Sequence, residues 1–219
     1  MVFRILCWCL CFSSFAAYAQ IPLGIGQWRT HVPYRNATSL ADAGDEIYVS
    51  ANVFFFSYDK ETGTLTRFDK VSGLSDVDVR FVAFNDYNNT LLVVYDNGNI
   101  DLLEKNTIIN ISDFKRKQLI GEKRINNTLF IDSIAYLSSN IGILVLDMKK
   151  REIRDTYKIG DNGDDLDVLN TAADDDFFYA ATPGGLKIAS RSSANLANFN
   201  EWQWVQGLSR DTAHHVVVL

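Results

Sequence analysis

Apolar and polar positions along this 219-residue chain alternate in short bursts, and the bursts recur. Four segments align without gaps: EIYVSANVFFFSYD from Glu46, LLVVYDNGNIDLLE from Leu91, IAYLSSNIGILVLD from Ile134 and FYAATPGGLKIAS from Phe178. Their mid-strand residues Tyr48, Val93, Tyr136 and Tyr179 stand 45, 43 and 43 residues apart. Four residues further on comes a turn position (Asn52, Asn97, Asn140, Pro183), and three beyond that an apolar residue opens the next run (Phe55, Ile100, Ile143, Leu186). Each segment predicts a hairpin, with DNGN and PGG supplying the positive φ angles of a tight turn. SANV has no glycine and predicts a looser one.

Two more strand-like runs flank each hairpin. NATSLADA, VRFVAFN, KRINNTLFID and DVLNTAAD lie ahead; GTLTRFD, NTIINIS, REIRDTYKI and EWQWVQ lie behind. In REIRDTYKI, Ile153, Asp155, Tyr157 and Ile159 take one face and Arg154, Thr156 and Lys158 the other, the mark of a half-exposed outer strand. The leading runs are smaller and more apolar, which suits a crowded centre. Four strands in each block of 43 to 45 residues predict an all-β chain, a β-propeller with four four-stranded antiparallel blades. A β-sandwich has short strands too, but no four-strand block repeating in register. The blades are expected at about 36–76, 77–121, 122–165 and 166–211. TAHHVVVL, from residue 212, begins the first strand of a fifth, so the chain reads as the incomplete N-terminal fragment of a larger propeller. Short helical pieces are expected only at 112–117 and 192–199.

The blade junctions have their own punctuation. GLSD (73–76) and GLSRD (207–211) each precede a strand-like run, 134 residues apart, close to three blade steps. Gly73 and Gly207 are expected to make the sharp turn, Leu74 and Leu208 to plug between blades, and Ser75 and Ser209 to bond the turn's backbone.

The first 19 residues stand apart. A basic MVFR, an apolar run of 11 residues, and Ala17 and Ala19 at small-residue positions make a secretory signal peptide. The run is short of the roughly 20 residues a membrane span needs. Residues 20–35 form a lead-in, and no second long apolar run follows, so the mature fragment is expected to be exported with no membrane span. Cys7, Cys9 and Cys11 all lie in the leader, leaving the mature fold without disulfide, thiolate ligand or cysteine nucleophile. Cleavage removes Arg4, one of 21 basic residues against 27 acidic, and the net charge moves from −6 to −7. That argues against a nucleic-acid partner.

Candidate chemistry is sparse. Of three acidic clusters (42–46, 161–167, 174–176), the second offers Asp161, Asp164, Asp165 and Asp167 as calcium ligands. It lacks a full loop with a closing glutamate, and a solvated turn is the commoner use of such a run. His214 and His215 point to opposite faces of a strand, and neither HExxH nor GxSxG occurs. No catalytic residue and no cofactor site is expected. In VFFFSYD, two phenylalanines are expected between blades and the third, with Tyr58, on another layer; Trp202 and Trp204 share one strand face.

GLSDVDVRFVAFNDYNNTLLVVYDNGNIDLLEK resembles the propeller repeat of two-component regulators, and GLSRDTAHHVVVL restarts it. IGQWRTHVPYRNATSLADAGDEIYVSA (25–51) resembles the start of the mature PorZ-like proteins, surface components of the type IX secretion system of Bacteroidetes. The second and third junctions, LIGEKR and IGDNGDDLD, depart from Gly-Leu-Ser, and the hairpins lack the tryptophan and glycine-threonine of the sensor repeat. The resemblance implies two propellers followed by a C-terminal secretion domain. It implies a non-enzymatic module at the outer cell surface, working with the sortase that attaches anionic lipopolysaccharide to cargo and implicated in supplying that glycan. The alternative is the periplasmic carbohydrate-sensing propeller of a hybrid two-component sensor; a propeller polysaccharide lyase is the third.

Overall fold

A computed structural model of the chain describes residues 36–51, 54–105, 107–119, 121–208 and 213–218. The expected signal peptide and lead-in, with the three cysteines and His31, lie outside the described residues, as do Asn52, Val53 and Ser209. Four sheets follow one another. The first holds β1 (Ser39–Asp42), β2 (Glu46–Ala51), β3 (Phe54–Asp59) and β4 (Leu65–Phe68). The second holds β5 (Val79–Asn85), β6 (Thr90–Tyr95), β7 (Ile100–Glu104) and β8 (Thr107–Ile111). The third holds β9 (Ile125–Ile131), β10 (Ile134–Ser139), β11 (Gly142–Asp147) and β12 (Glu152–Tyr157). The fourth holds β13 (Asn170–Ala173), β14 (Phe177–Thr182), β15 (Gly185–Ser190) and β16 (Gln203–Trp204). In each, the strands pair in chain order as an antiparallel meander, so the chain is an all-β propeller unit of four four-stranded blades. β5 packs on β1 and β2, β9 on β5, and β13 on β9 and β10, which puts the first strand of each blade innermost.

Three apolar cores lie between the four blades, and period-2 alternation fills them. β6 is buried at every position. Its Leu91, Val93 and Tyr95 face Tyr48 and Phe55 of the first blade. Its Leu92 and Val94 face Leu137, Leu144 and Leu146 of the third. β11 repeats the device: Ile143 and Val145 turn to Phe178 and Trp202 of the fourth blade. Full burial of one such side chain is worth about 1.5–3 kcal/mol, so a strand buried on both faces ties two interfaces together. Side chains on the inner strands add polar ties. Ser39 Oγ accepts the N–H of Val82 at 3.1 Å, Asn85 Nδ2 donates to Asp132 O at 2.9 Å, and Asn126 Nδ2 donates to Val168 O at 2.7 Å.

The tight turn of the third hairpin depends on Gly142, which opens β11 at φ +126°. A Cβ there would lie 2.1 Å from the carbonyl oxygen of Tyr157 on β12. Gly185 opens β15 at the same offset, with φ +116°.

The structure departs from expectation in four places. A bulge opposite Val145 and Leu146 puts Ile153 against the core between the second and third blades and Tyr157 with Ile159 in the core between the third and fourth, so REIRDTYKI does not keep its expected common face. Of the phenylalanines in VFFFSYD, only Phe55 faces the second blade, its ring centre 6.0 Å from Tyr48 and 5.1 Å from Phe68. Alternation sends Phe54 and Phe56 to the opposite face with Tyr58, where Arg67 lies over the Phe54 ring. Residues 192–199 form turns rather than a helix, leading into one 3₁₀ turn at Phe199–Glu201. There Asn195 Oδ1 accepts the N–H of Ala197 and Asn198 Oδ1 that of Asn200, local bonds that compete with helix. The other expected helical piece appears as a single turn, α1 (Asp113–Arg116), whose Phe114 is buried between the second and third blades. Residues 213–218 form no strand ladder. They run beside the fourth blade, Ala213 donating to Thr182 O at 3.0 Å and Val216 to Asn170 Oδ1 at 3.2 Å. A first strand ladders with the second strand of its own blade, and none for it lies among the described residues.

Candidate functional site

In a four-strand meander, the loop entering each blade and the turn between its second and third strands lie on one edge of the sheet. A connected polar network sits on that edge, where GLSD enters the second blade.

The entry loop is built from its own backbone first. Asp69 Oδ1 accepts the N–H groups of Val71 and Ser72, closing a turn that Gly73 leaves at φ +110°. Leu74 is then buried between the first and second blades. Ser75 donates its N–H to Asp101 Oδ2 on β7 at 2.9 Å. Asp101 is fully buried and also accepts Tyr95 Oη at 2.6 Å and Asn110 Nδ2 at 2.8 Å. Burial pushes the Tyr95 phenol far up, and the hydrogen bond to Asp101 and its charge push it further.

Asp76 is the centre of the loop. Asn97 Nδ2 reaches it at 2.6 Å, Asn99 Nδ2 at 3.3 Å and Lys115 Nζ at 2.5 Å, with Lys70 Nζ at 3.9 Å. Burial alone would raise its pKa. The bonds from Lys115, Asn97 and the Val77 N–H overcome this and hold the carboxyl at about 2.

The turn-position asparagines therefore do more than bend the chain. Asn97 clasps the entry loop of its own blade, and Asn140 does the same for the third: its Nδ2 donates to Glu122 O and its Oδ1 accepts the Arg124 N–H. Sequence spacing marked both as turn formers; the clasp depends on a loop 16 to 21 residues earlier coming back beside the turn. In the fourth blade the position is Pro183, and Lys187 takes over. Its Nζ is buried, donates to Ile159 O at 2.6 Å and lies 4.6 Å from the Trp204 ring centre.

The calcium candidates are not brought together. Asp161 accepts from Lys187 Nζ at 3.1 Å and Trp204 Nε1 at 3.3 Å. Asp165 pairs with Lys158 at 2.8 Å and Asp167 with Arg124 at 2.5 Å, while Asp164 is exposed. Three of the four carboxylates are thus drawn to separate donors. Among the described residues no three His, Cys, Asp or Glu side chains gather as metal ligands would. At the second Gly-Leu-Ser junction, Gly207 has φ +83° and Leu208 is 57% exposed rather than plugged, because no following blade covers it among the described residues. Trp202 is buried between the third and fourth blades, and His214 and His215 are exposed.

Near the inner strands this edge opens into a cleft of about 700 Å³ that includes Arg80, Asp96, Lys115, Lys123 and Arg124. Its cations are internally engaged: Arg80 with Asp96 at 3.1 Å, Lys115 with Asp76, Lys123 with the carbonyl of Lys115, and Arg124 with Asp167. These groups fix loops and present a polar surface. Among them no nucleophile stands beside a general base. No helix among the described residues is long and apolar enough to cross a membrane.

Comparisons with known proteins agree with this architecture. Residues 47–203 match the family model of the type IX secretion PorZ N-terminal β-propeller domain. No curated protein matches in sequence. Among solved structures, the chain is similar to PorZ, an essential bacterial surface component of the type IX secretion system of Porphyromonas gingivalis. The TM-score is 0.73 at 25% identity, over 82% of this chain and 24% of that one. The extracellular domain of the putative hybrid two component system BT4673 from B. thetaiotaomicron gives a TM-score of 0.63 at 15% identity, over 80% and 23%. Apo AztD from Citrobacter koseri gives 0.55 at 14%, over 80% and 48%. The chain thus spans about a quarter of the length of the first two, and the last two likenesses show the fold alone.

Proposed function

The chain belongs to the family of PorZ N-terminal β-propeller domains of the type IX secretion system, and from that premise we propose that it is a non-enzymatic scaffold and binding module of that system. It acts at the outer cell surface after export by its leader. It supports the sortase that attaches anionic lipopolysaccharide to cargo, and glycan binding is part of that support. The observation that carries this is the family match, which runs through all four blades from β2 to β16. The engaged ion pairs of the entry edge support a recognition role over a catalytic one, since their carboxylates and cations hold loops in place.

The test removes these blades from the full-length protein in its native host and follows cargo at the cell surface. Cargo without attached lipopolysaccharide, at unchanged sortase levels, is the expected result. Normal glycan attachment would overturn the reading, and so would failure of the purified full-length protein to capture either sortase or anionic lipopolysaccharide.

A further inference from the structure

The opposite edge, where first strands turn into second and third into fourth, carries a separate cleft between the second and third blades. It has a volume of about 670 Å³. Three turns wall it, and each places a non-glycine residue in the left-handed region: Asn89 after β5 (φ +52°), Lys105 after β7 (φ +52°) and Arg151 after β11 (φ +61°). Residues held in this region cluster where side chains must be aimed.

The charge of the cleft runs against that of the chain. The net charge is −6, yet Lys105, Lys149 and Arg151 meet here with Glu104 as the one lining carboxylate. Glu104 is already paired with Arg151 at 2.8 Å. Lys149 Nζ lies 5.0 Å from the ring centre of Tyr87, itself 61% exposed. Lys105 has no partner among the described residues. Two ammonium groups free of carboxylates and a guanidinium with spare donors together lack one thing, an anionic acceptor.

We propose that this cleft binds a phosphate group, held by Lys105, Lys149 and Arg151 beside the Tyr87 ring. Two positive charges in excess match a dianion, and Arg151 offers the planar fork that suits phosphate oxygens. Both a free phosphate and a phosphate ester carry this chemistry. An ester could also lay its organic part on Tyr87. The inference rests on this cleft and not on the secretion reading, and its test is a binding measurement that cargo modification does not enter.

The full chain is titrated at low ionic strength with inorganic phosphate, glucose 1-phosphate and glucose, and backbone amide resonances are followed. Millimolar phosphate should shift residues 87–89, 105 and 149–151. Glucose 1-phosphate should bind at least as well, and glucose should not bind there. Lys105→Ala with Lys149→Ala should weaken phosphate binding about tenfold or more, since both ammonium donors to the anion are removed. Arg80→Ala on the other edge should leave it unchanged. Absence of shifts at these turns, equal binding of glucose, or a folded double variant with unaltered affinity would overturn the proposal.

Discussion

Replacing Asp76 by asparagine isolates the charge of the entry clasp while keeping its shape. The carboxyl is buried, accepts from Lys115 at 2.5 Å and Asn97 at 2.6 Å, and titrates near 2 in place of 3.8. At about 1.4 kcal/mol per unit, its ionised form contributes about 2 kcal/mol to stability. The folded pKa is depressed, so this contribution is complete above the unfolded value near 4 and is lost as pH falls through about 2. Urea unfolding of the parent and the Asp76→Asn variant across pH should show a gap of about 2 kcal/mol near neutrality, constant down to about pH 5, roughly half as large near pH 3 and almost gone near pH 2. The amide also turns an N–H₂ toward Lys115, which can enlarge the neutral gap but not alter its direction with pH. A gap of equal size at pH 7 and pH 3, or one below about 0.5 kcal/mol at neutrality, would show that Asp76 is not held as described.

Two further outcomes are expected. Gly142→Ala must push Cβ into the Tyr157 carbonyl and should cost more than about 3 kcal/mol, whereas Gly44→Ala, at φ +82° with open space around it, should cost only about 1; equal losses in thermal unfolding would refute the steric account of the third hairpin. Tyr95 should stay protonated well above pH 10 by phenolate absorbance. Its raised pKa stabilises the fold fully below about 10 and destabilises it progressively as pH rises further, so Tyr95→Phe should flatten the alkaline fall in stability.

Much of this architecture could be read from the chain because its signal is local. The hairpins follow from alternation and an Asn, Gly or Pro every 43 to 45 residues, whereas the even alternation read in REIRDTYKI is interrupted by a bulge that no local pattern announces. Parity misled at VFFFSYD. Alternation pairs Phe54 with Phe56 in any case, but which face points to the neighbouring blade is set by register, and β3 turns Phe55 alone toward the second blade. The acidic loop misled for a different reason. Neighbours in sequence suggest a shared ion, yet the donors to Asp167 are Arg124 and Asn126, a blade earlier, and the donors to Asp161 lie 26 and 43 residues later. The same distance hid the clasps of Asn97 and Asn140 and the positive cleft between the second and third blades, whose cations come from separate turns of two blades.

The ties between inner strands have a consequence in time. Ser39 is answered by Val82, Asn85 by Asp132, Asn126 by Val168 and Asn170 by Val216, each 42 to 47 residues downstream. On a chain that emerges N-terminus first, a blade can close its own meander as soon as its four strands are out. Its innermost strand then waits for the next blade's first strand before it is latched. The unit therefore assembles like a zip fastener whose slider always trails one tooth behind the leading end.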